Sequence, residues 1–344
     1  MRKSSRFGGV AILVTVLVVS SFFAWTRRPL KNPQRCLTIT APSFSLPAPE
    51  AKNPALEATK NVKIAFVGDL GLALGVGSML ARGGAEPGFP FAAVRDELRG
   101  YDLLVGNLEC VVASKGQPTI PEPLLAPLNT PQILLDAGFD AVSVANNHSL
   151  DFSKEGYFDT LARLKAAGLP SFGVTSVDAA RSPILVLTVS GIRIALVGHV
   201  DRGWQRAKED IKKARELADV VVVYVHWGVE YALSPVRYQR VEGRAMLDAG
   251  ADAVIGSHTH VVQPAEFYRG KLIAHGLGNF VFSSMTRQGT HTGALLVLEL
   301  NKGGIASHHF RQVSIDTRGA PRFVGEPSEE PILDPPGPRP LAPL

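Results

Sequence analysis

Cysteine is nearly absent from this chain: two in 344 residues, Cys36 and Cys110. So few thiols exclude a disulfide scaffold. With Cys36 in a proline-rich stretch, both are expected to be free. Surplus positive charge is also missing from most of the chain. Residues 1–60 carry nine Lys and Arg against only Glu50 and Glu57, a net of +7 within a total of +5. About −2 is left for everything after Lys60, so a nucleic-acid partner has no electrostatic support there. A hydrophobic share of 45% is enough for a substantial core, in one large domain or two small ones.

The basic residues at the start have another explanation. Residues 8–25 form an uncharged, mostly apolar run between Arg2, Lys3 and Arg6 on one side and Arg27 and Arg28 on the other. That length lies near the lower limit for a bilayer span and is long for a signal-peptide core. Trp25 suits a membrane interface, and no small-x-small cleavage site stands near it. Residues 1–28 are therefore expected to be a membrane anchor, with a cleaved signal segment as the alternative. The body then sits outside the cell membrane on a single-pass anchor, or is secreted after cleavage. Residues 29–60 hold six prolines without periodicity and read as a semi-rigid stalk. Residues 319–344 read as a proline-rich tail.

Between residues 61 and 318 apolar strands alternate with helices, which argues for an α/β domain. Strands are expected at 62–67, 102–105, 140–145, 219–225, 252–255 and 271–274. Hairpins are expected at 184–197 and 294–313. Helices are expected at 89–98, 131–137, 154–167, 208–218 and 236–249, several closed by a glycine such as Gly138, Gly168 or Gly250. The junction Asp-Ala-Gly-x-Asp occurs twice, at 136–140 and 248–252, as a local helix-to-strand connection.

Unusual polar residues collect where these strands stop. Asp69, Asn107, Glu109, Asn147, His148, His226, Glu230, His258, His260 and Asn279 each follow the carboxyl end of an apolar run. In open α/β folds that edge binds ligands. Turns favour Asn and Asp anyway, but histidine on three rims is not explained by turn chemistry. In Gly256-Ser257-His258-Thr259-His260, extended backbone would send both imidazoles to the same side. Carboxylate, amide oxygen and imidazole without thiolate suit a divalent metal (Mn, Fe or Zn, one or two ions) in a hydrolytic role. His148 is either the acid/base residue or a capping or supporting histidine.

Six motifs in order carry a resemblance. They are Gly68-Asp69, Gly106-Asn107-Leu108-Glu109, Ala145-Asn146-Asn147-His148-Ser149-Leu150-Asp151, His226-Trp227-Gly228-Val229-Glu230-Tyr231, Gly256-Ser257-His258-Thr259-His260 and Leu277-Gly278-Asn279-Phe280. Over residues 61–315 the chain resembles the CapA-type capsule-synthesis family, known for poly-γ-glutamate production, within the calcineurin-like metallophosphoesterase superfamily. The resemblance implies a four-layer α/β/β/α sandwich with a metal site at the strand ends. It implies Asp69, Asn147, His226, His258 and His260 as metal ligands and His148 as the catalytic histidine. Asn107, Asp151, Glu230 and Asn279 are expected to support them. Two departures stand out: Gly71 where a phosphoesterase carries histidine, and Asn107 where it carries aspartate. Glu109 is expected to supply the missing bridging carboxylate, with one ion held firmly and a second more weakly.

The expected function is an accessory role in capsule or poly-γ-glutamate synthesis or export, beside capsule-synthesis proteins. The alternative is an extracytoplasmic metal-dependent phosphoesterase or amide hydrolase. The expected substrate is an anionic polymer or a phosphorylated small molecule. Arg202, Arg237 and Arg287 stand near the rim as anion receptors or solvated surface. Trp227, Tyr231 and Phe280 either line a groove or pack the core.

Overall fold

Alternation within single strands decides the architecture. In the strand Val62–Leu70, Ile64 and Phe66 pack into one hydrophobic cluster while Ala65 and Val67 pack into another. A strand buried on both faces must lie between two layers. The same split recurs in the strand Val220–His226, where Val222 and Tyr224 face one cluster and Val221, Val223 and Val225 face a third.

The computed structural model describes residues 61–331, apart from 84–85, 179, 202–203, 284 and 302, together with the backbone of 37–39. In chain order the first half comprises β1 (Leu37–Ile39), β2 (Val62–Leu70), α1 (Leu74–Ala81), α2 (Arg95–Leu98), β3 (Leu103–Leu108), α3 (Thr130–Ala137), β4 (Ala141–Ser143), α4 (Ser153–Ala167) and β5 (Ser171–Phe172). Next come β6 (Ile184–Val189), β7 (Ile192–Val200), α5 (Trp204–Leu217), β8 (Val220–His226), α6 (Arg237–Asp248) and β9 (Ala253–Ser257). The chain continues through β10 (Ala265–Tyr268), β11 (Lys271–Ala274), β12 (Asn279–Val281), β13 (Thr292–Asn301), β14 (Gly304–Ile315) and β15 (Pro321–Ser328).

Seven strands form one mixed sheet in the order β1-β6-β7-β8-β9-β11-β10. The other runs β15-β14-β13-β2-β3-β4-β5, with β12 added on β2. Between the sheets lies a core that includes Phe66, Val105, Leu196, Tyr224, Ile255 and Leu296. The second sheet's outer face is covered by α1 to α4, through Val76, Leu98, Leu134 and Leu164. On the first sheet's outer face, Ala207, Ile211 and Ala214 of α5 and Met246 of α6 pack down. This is the expected α/β/β/α sandwich. Each fully buried side chain of Phe66 size contributes about 2 kcal/mol of apolar transfer.

Several elements differ from the sequence reading. The helix expected at 89–98 is only Arg95–Leu98, with turns before it. Pro90 lacks an N–H, and Phe89, Phe91 and Val94 are buried from a turn conformation. Helix α1 carries two glycines and no clear apolar stripe; core burial of Val76 and a Val76 N–H bond to Ser283 Oγ (3.1 Å) hold it. Residues Pro321–Ser328, expected in a tail, form β15 instead, and its prolines are tolerated because the strand lies at a sheet edge. Leu37–Ile39, expected in the stalk, pairs with β6. The other residues of the expected anchor and stalk, and residues 332–344 of the tail, lie outside the described residues. Among the described residues no helix is long and apolar enough to cross a membrane.

Candidate metal centre

Strand register brings the polar rim together. β13 runs beside β2 only as far as Val67, and β12 takes its place, pairing Asn279 with Asp69. On the other side β3 pairs Asn107 with Asp69. Three polar residues from distant motifs thus stand side by side across three strands. The close approach requires Gly68, where a Cβ would lie 1.8 Å from the Gly278 carbonyl oxygen. In the facing sheet, β8 ends on His226, opposite Ser257 at the end of β9.

The two histidines beyond β9 reach the centre by another route than the one their spacing suggested. They lie past the strand end, with φ of +88° at His258 and +57° at His260, so extended alternation does not aim them. Left-handed backbone at a non-glycine residue costs on the order of 1–3 kcal/mol and persists only where the surroundings impose it. Here the His258 N–H donates to Asp69 Oδ2 (3.1 Å), and the Tyr231 N–H donates to the Thr259 carbonyl (2.8 Å). The imidazoles then face different partners. The His258 ring lies 4.6 Å from that of His226, while His260 Nδ1 lies 3.5 Å from Asp69 Oδ2.

Two groups of potential ligand atoms result, Glu109 with His226 and His258, and Asp69 with Glu109 and His260. Either could hold a metal ion, and Glu109 belongs to both. Its carboxylate is wholly buried, neither oxygen has a hydrogen-bond partner, and buried His258 Nδ1 is likewise unpartnered. Burial pushes the Glu109 carboxyl well above its ordinary range, and the nearby Asp69 charge pushes it the same way. Burial holds His226 well below the ordinary imidazole value, as do neighbouring His258, His260 and His148. His258 is also lowered, chiefly by burial. Two buried carboxyl groups facing buried imidazoles, with no Lys or Arg among them, offer donor atoms that fit a divalent cation.

The surrounding residues fix which nitrogens remain open. Asn279 Nδ2 donates to the Thr290 carbonyl (3.0 Å), so its Oδ1 faces His260 Nδ1 at 2.9 Å. That oxygen can only accept, so Nδ1 is the donor of this pair and Nε2 is the nitrogen turned to Glu109 Oε1, at 3.9 Å. Asn107 donates to Asp69 Oδ1 (2.9 Å) and is itself held by Asn146 (3.0 Å). His226 Nδ1 lies 3.0 Å from Ser257 Oγ, and its Nε2 faces the ligand group, 2.7 Å from Asn147 Oδ1 and 3.5 Å from Glu109 Oε1. Asp151 supports His148 rather than a metal ligand: its Oδ2 accepts the Leu124 N–H and lies 2.8 Å from His148 Nδ1. His148 Nε2 then points inward, 4.0 Å from Glu109 Oε1. Glu230 is exposed at the rim, where its charge bears on Glu109 and on the neighbouring Tyr231 side chain.

Asn146 and Ser257 stand in the motifs without an expected role, and Thr290 and Phe282 lie outside the motifs. Asn146 and Ser257 adjoin named residues and were within reach; nothing in the sequence marks Phe282. A Cβ at Gly71 would lie 2.6 Å from the Phe282 ring, which therefore occupies the space a side chain there would need and packs edge-on to His260. Trp227 and Phe280 are core residues, with the Trp227 indole N–H donating to the His275 carbonyl (2.9 Å). Tyr231 instead stacks on His260 at 5.9 Å. A cleft of about 360 Å³ opens beside Asn147, lined also by Thr175, Ser176, His199 and Arg206. Cys110 is a buried free thiol whose pKa burial pushes up to about 12; Cys36 lies outside the described residues.

The profile of the bacterial capsule synthesis protein family PGA_cap matches residues 63–284, which span every residue of this cluster from Asp69 to Phe282. The chain belongs to the PGA_cap family. It is 33% identical over 272 residues to the PGA biosynthesis protein CapA of Bacillus subtilis (strain 168), covering 73% of this chain and 70% of that protein. Identity to the capsule biosynthesis protein CapA of Bacillus anthracis is 31% over 274 residues, covering 72% and 66% respectively. A probable polyglutamine synthesis accessory protein of Mycobacterium tuberculosis (strain CDC 1551 / Oshkosh) is 31% identical over 212 residues, 52% of this chain and 55% of that protein. Within the PGA_cap segment, Phe282 packs against Gly71, and Glu109, two residues after Asn107, offers a carboxylate to both ligand groups.

Proposed function

We propose that this PGA_cap protein is a membrane-anchored accessory factor of capsule or poly-γ-glutamate synthesis or export, with a metal-dependent hydrolytic site that acts on the polymer. The family and the names of its relatives support the capsule role. The observation that carries the hydrolytic part is Glu109, buried, unpartnered and shared by both ligand groups. Mn, Fe or Zn suits this donor set of carboxylate, amide oxygen and imidazole. A divalent ion held there would polarise a carbonyl or phosphoryl oxygen and make water a better nucleophile. The chain's own residues supply the proton handling. Asp151 Oδ2, 2.8 Å from His148 Nδ1, orients the ring so that Nε2 faces the centre, placed to take a proton from an attacking water or give one to a leaving group. The proposed anchor is residues 8–25, with the domain on the extracytoplasmic face.

A second reading, a phosphoesterase for a small substrate, is favoured by the His148–Asp151 pair, which would equally protonate a departing alkoxide. Assay of full-length protein with Mn against a γ-glutamyl polymer and a generic phosphodiester separates the two. His148→Gln is expected to lower turnover of the true substrate about 100-fold or more with metal content unchanged. Silence on both substrates with polymer binding intact would leave a scaffold and sink the hydrolytic reading.

A further inference from the structure

The sequence marked three arginines near the rim, and the structure separates them. Arg202 lies outside the described residues, and Arg237 is exposed at the start of α6. Arg287 is different: its guanidinium carbon stands 5.1 Å over the Tyr231 ring, and that ring stacks on His260. Arg287, Tyr231 and His260 therefore form a short stack leading out of the metal centre.

The stack is held at each level. Thr290 N–H and Oγ1 both donate to the Arg287 carbonyl, at 3.2 and 2.6 Å, closing the turn that carries the arginine. The Thr290 carbonyl accepts from Asn279, the residue that orients His260. Tyr231 takes a left-handed φ of +65° and is tied to the 258–260 loop through Thr259. Such backbone geometry is retained where it positions a side chain. Among the described residues no carboxylate forms an ion pair with the Arg287 guanidinium, although Asp69, Glu109 and Glu230 all lie around the centre. Arg287 also falls outside the segment that the family profile matches.

We propose that Arg287 binds a second anionic group of the substrate, the pendant carboxylate of a glutamyl unit next to the one held at the metal centre. This rests on the polymer reading above. A small phosphate ester places its one anion at the metal ions, and Arg287 stands a whole aromatic ring farther out. A repeating polyanion has another charge to offer there. The planar guanidinium can grip a carboxylate with two parallel hydrogen bonds, and the tyrosine face beneath it fixes its plane.

The test uses metal-loaded full-length protein and poly-γ-glutamate as the probe, with affinity measured by calorimetry at several salt concentrations. Arg287→Ala is expected to weaken binding about tenfold or more and to flatten the salt dependence, with metal content unchanged. Arg287→Lys is expected to recover only part of the loss, because it lacks the fork. Arg237→Ala, which removes the same charge elsewhere on the rim, is expected to stay within about twofold of wild type. A methyl-esterified polymer is expected to bind wild type and Arg287→Ala alike. Equal binding of poly-γ-glutamate by Arg287→Ala and wild type would overturn this assignment and leave the polymer reading standing. No binding by wild type would overturn both. A loss of phosphodiester turnover in Arg287→Ala without any polymer binding would make the bound anion a phosphate and overturn the carboxylate.

Discussion

Glu109 shows how burial turns an ordinary residue into a candidate metal ligand. It follows a strand by one residue, as many turn carboxylates do, and only in three dimensions is it sealed away with both oxygens unpartnered. His199 is a second buried group, 4% exposed, whose pKa burial, with help from the Arg206 charge, lowers to about 4. Its Nε2 faces Asp210 Oδ2 at 3.5 Å, and burial raises the Asp210 carboxyl in turn. The unfolded chain binds the His199 proton from about pH 6.5 downward, while the folded chain resists it until about pH 4. Stability from this group is therefore complete above about pH 6.5 and lost as pH falls, by roughly 2–3 kcal/mol near pH 4. Thermal midpoints between pH 7 and 4.5 are expected to fall less steeply for His199→Gln than for wild type; parallel curves would count against it. At this scale the sequence was legible where unusual residue types gathered after strands, as with His226, His258 and His260. It was silent where an ordinary residue fills a space, as Phe282 does over Gly71.

At the scale of elements, the strand ends matter more than the strands. β12 is only three residues long, yet it occupies the side of β2 that β13 has left and so delivers Asn279 to Asp69. Gly68→Ala would drive a methyl group into the Gly278 carbonyl and push β12 away. Overpacking of this kind is expected to cost about 3 kcal/mol and to reduce metal content as well, because Asp69 and Asn279 move apart. A denaturant midpoint and metal content both equal to wild type would refute that crossing. Strands with buried runs on both faces, such as β8, were legible because such runs have few other folds. β12 was not, because three residues carry no period, and β15 was hidden because prolines mark an edge strand and a tail alike. The helix stops were clear: Gly138 and Gly168 adopt the left-handed conformation that ends α3 and α4.

At the scale of the whole molecule, two sheets face each other and their carboxyl ends meet at one rim. The four layers could be anticipated from alternating helices and strands only with the help of the family resemblance, since alternation alone is equally compatible with a single open sheet. The side-by-side placement of Asp69, Asn107 and Asn279 depends on a register that no pattern in the sequence encodes. The most direct test of the centre is metal content, measured by mass spectrometry after dialysis against Mn or Zn, in full-length wild type and Glu109→Gln. The amide keeps the shape and removes the one charge common to both ligand groups. Bound metal is expected in wild type and is expected to be lost in the variant, with the folded circular dichroism spectrum retained. Equal metal content in the two proteins would contradict it.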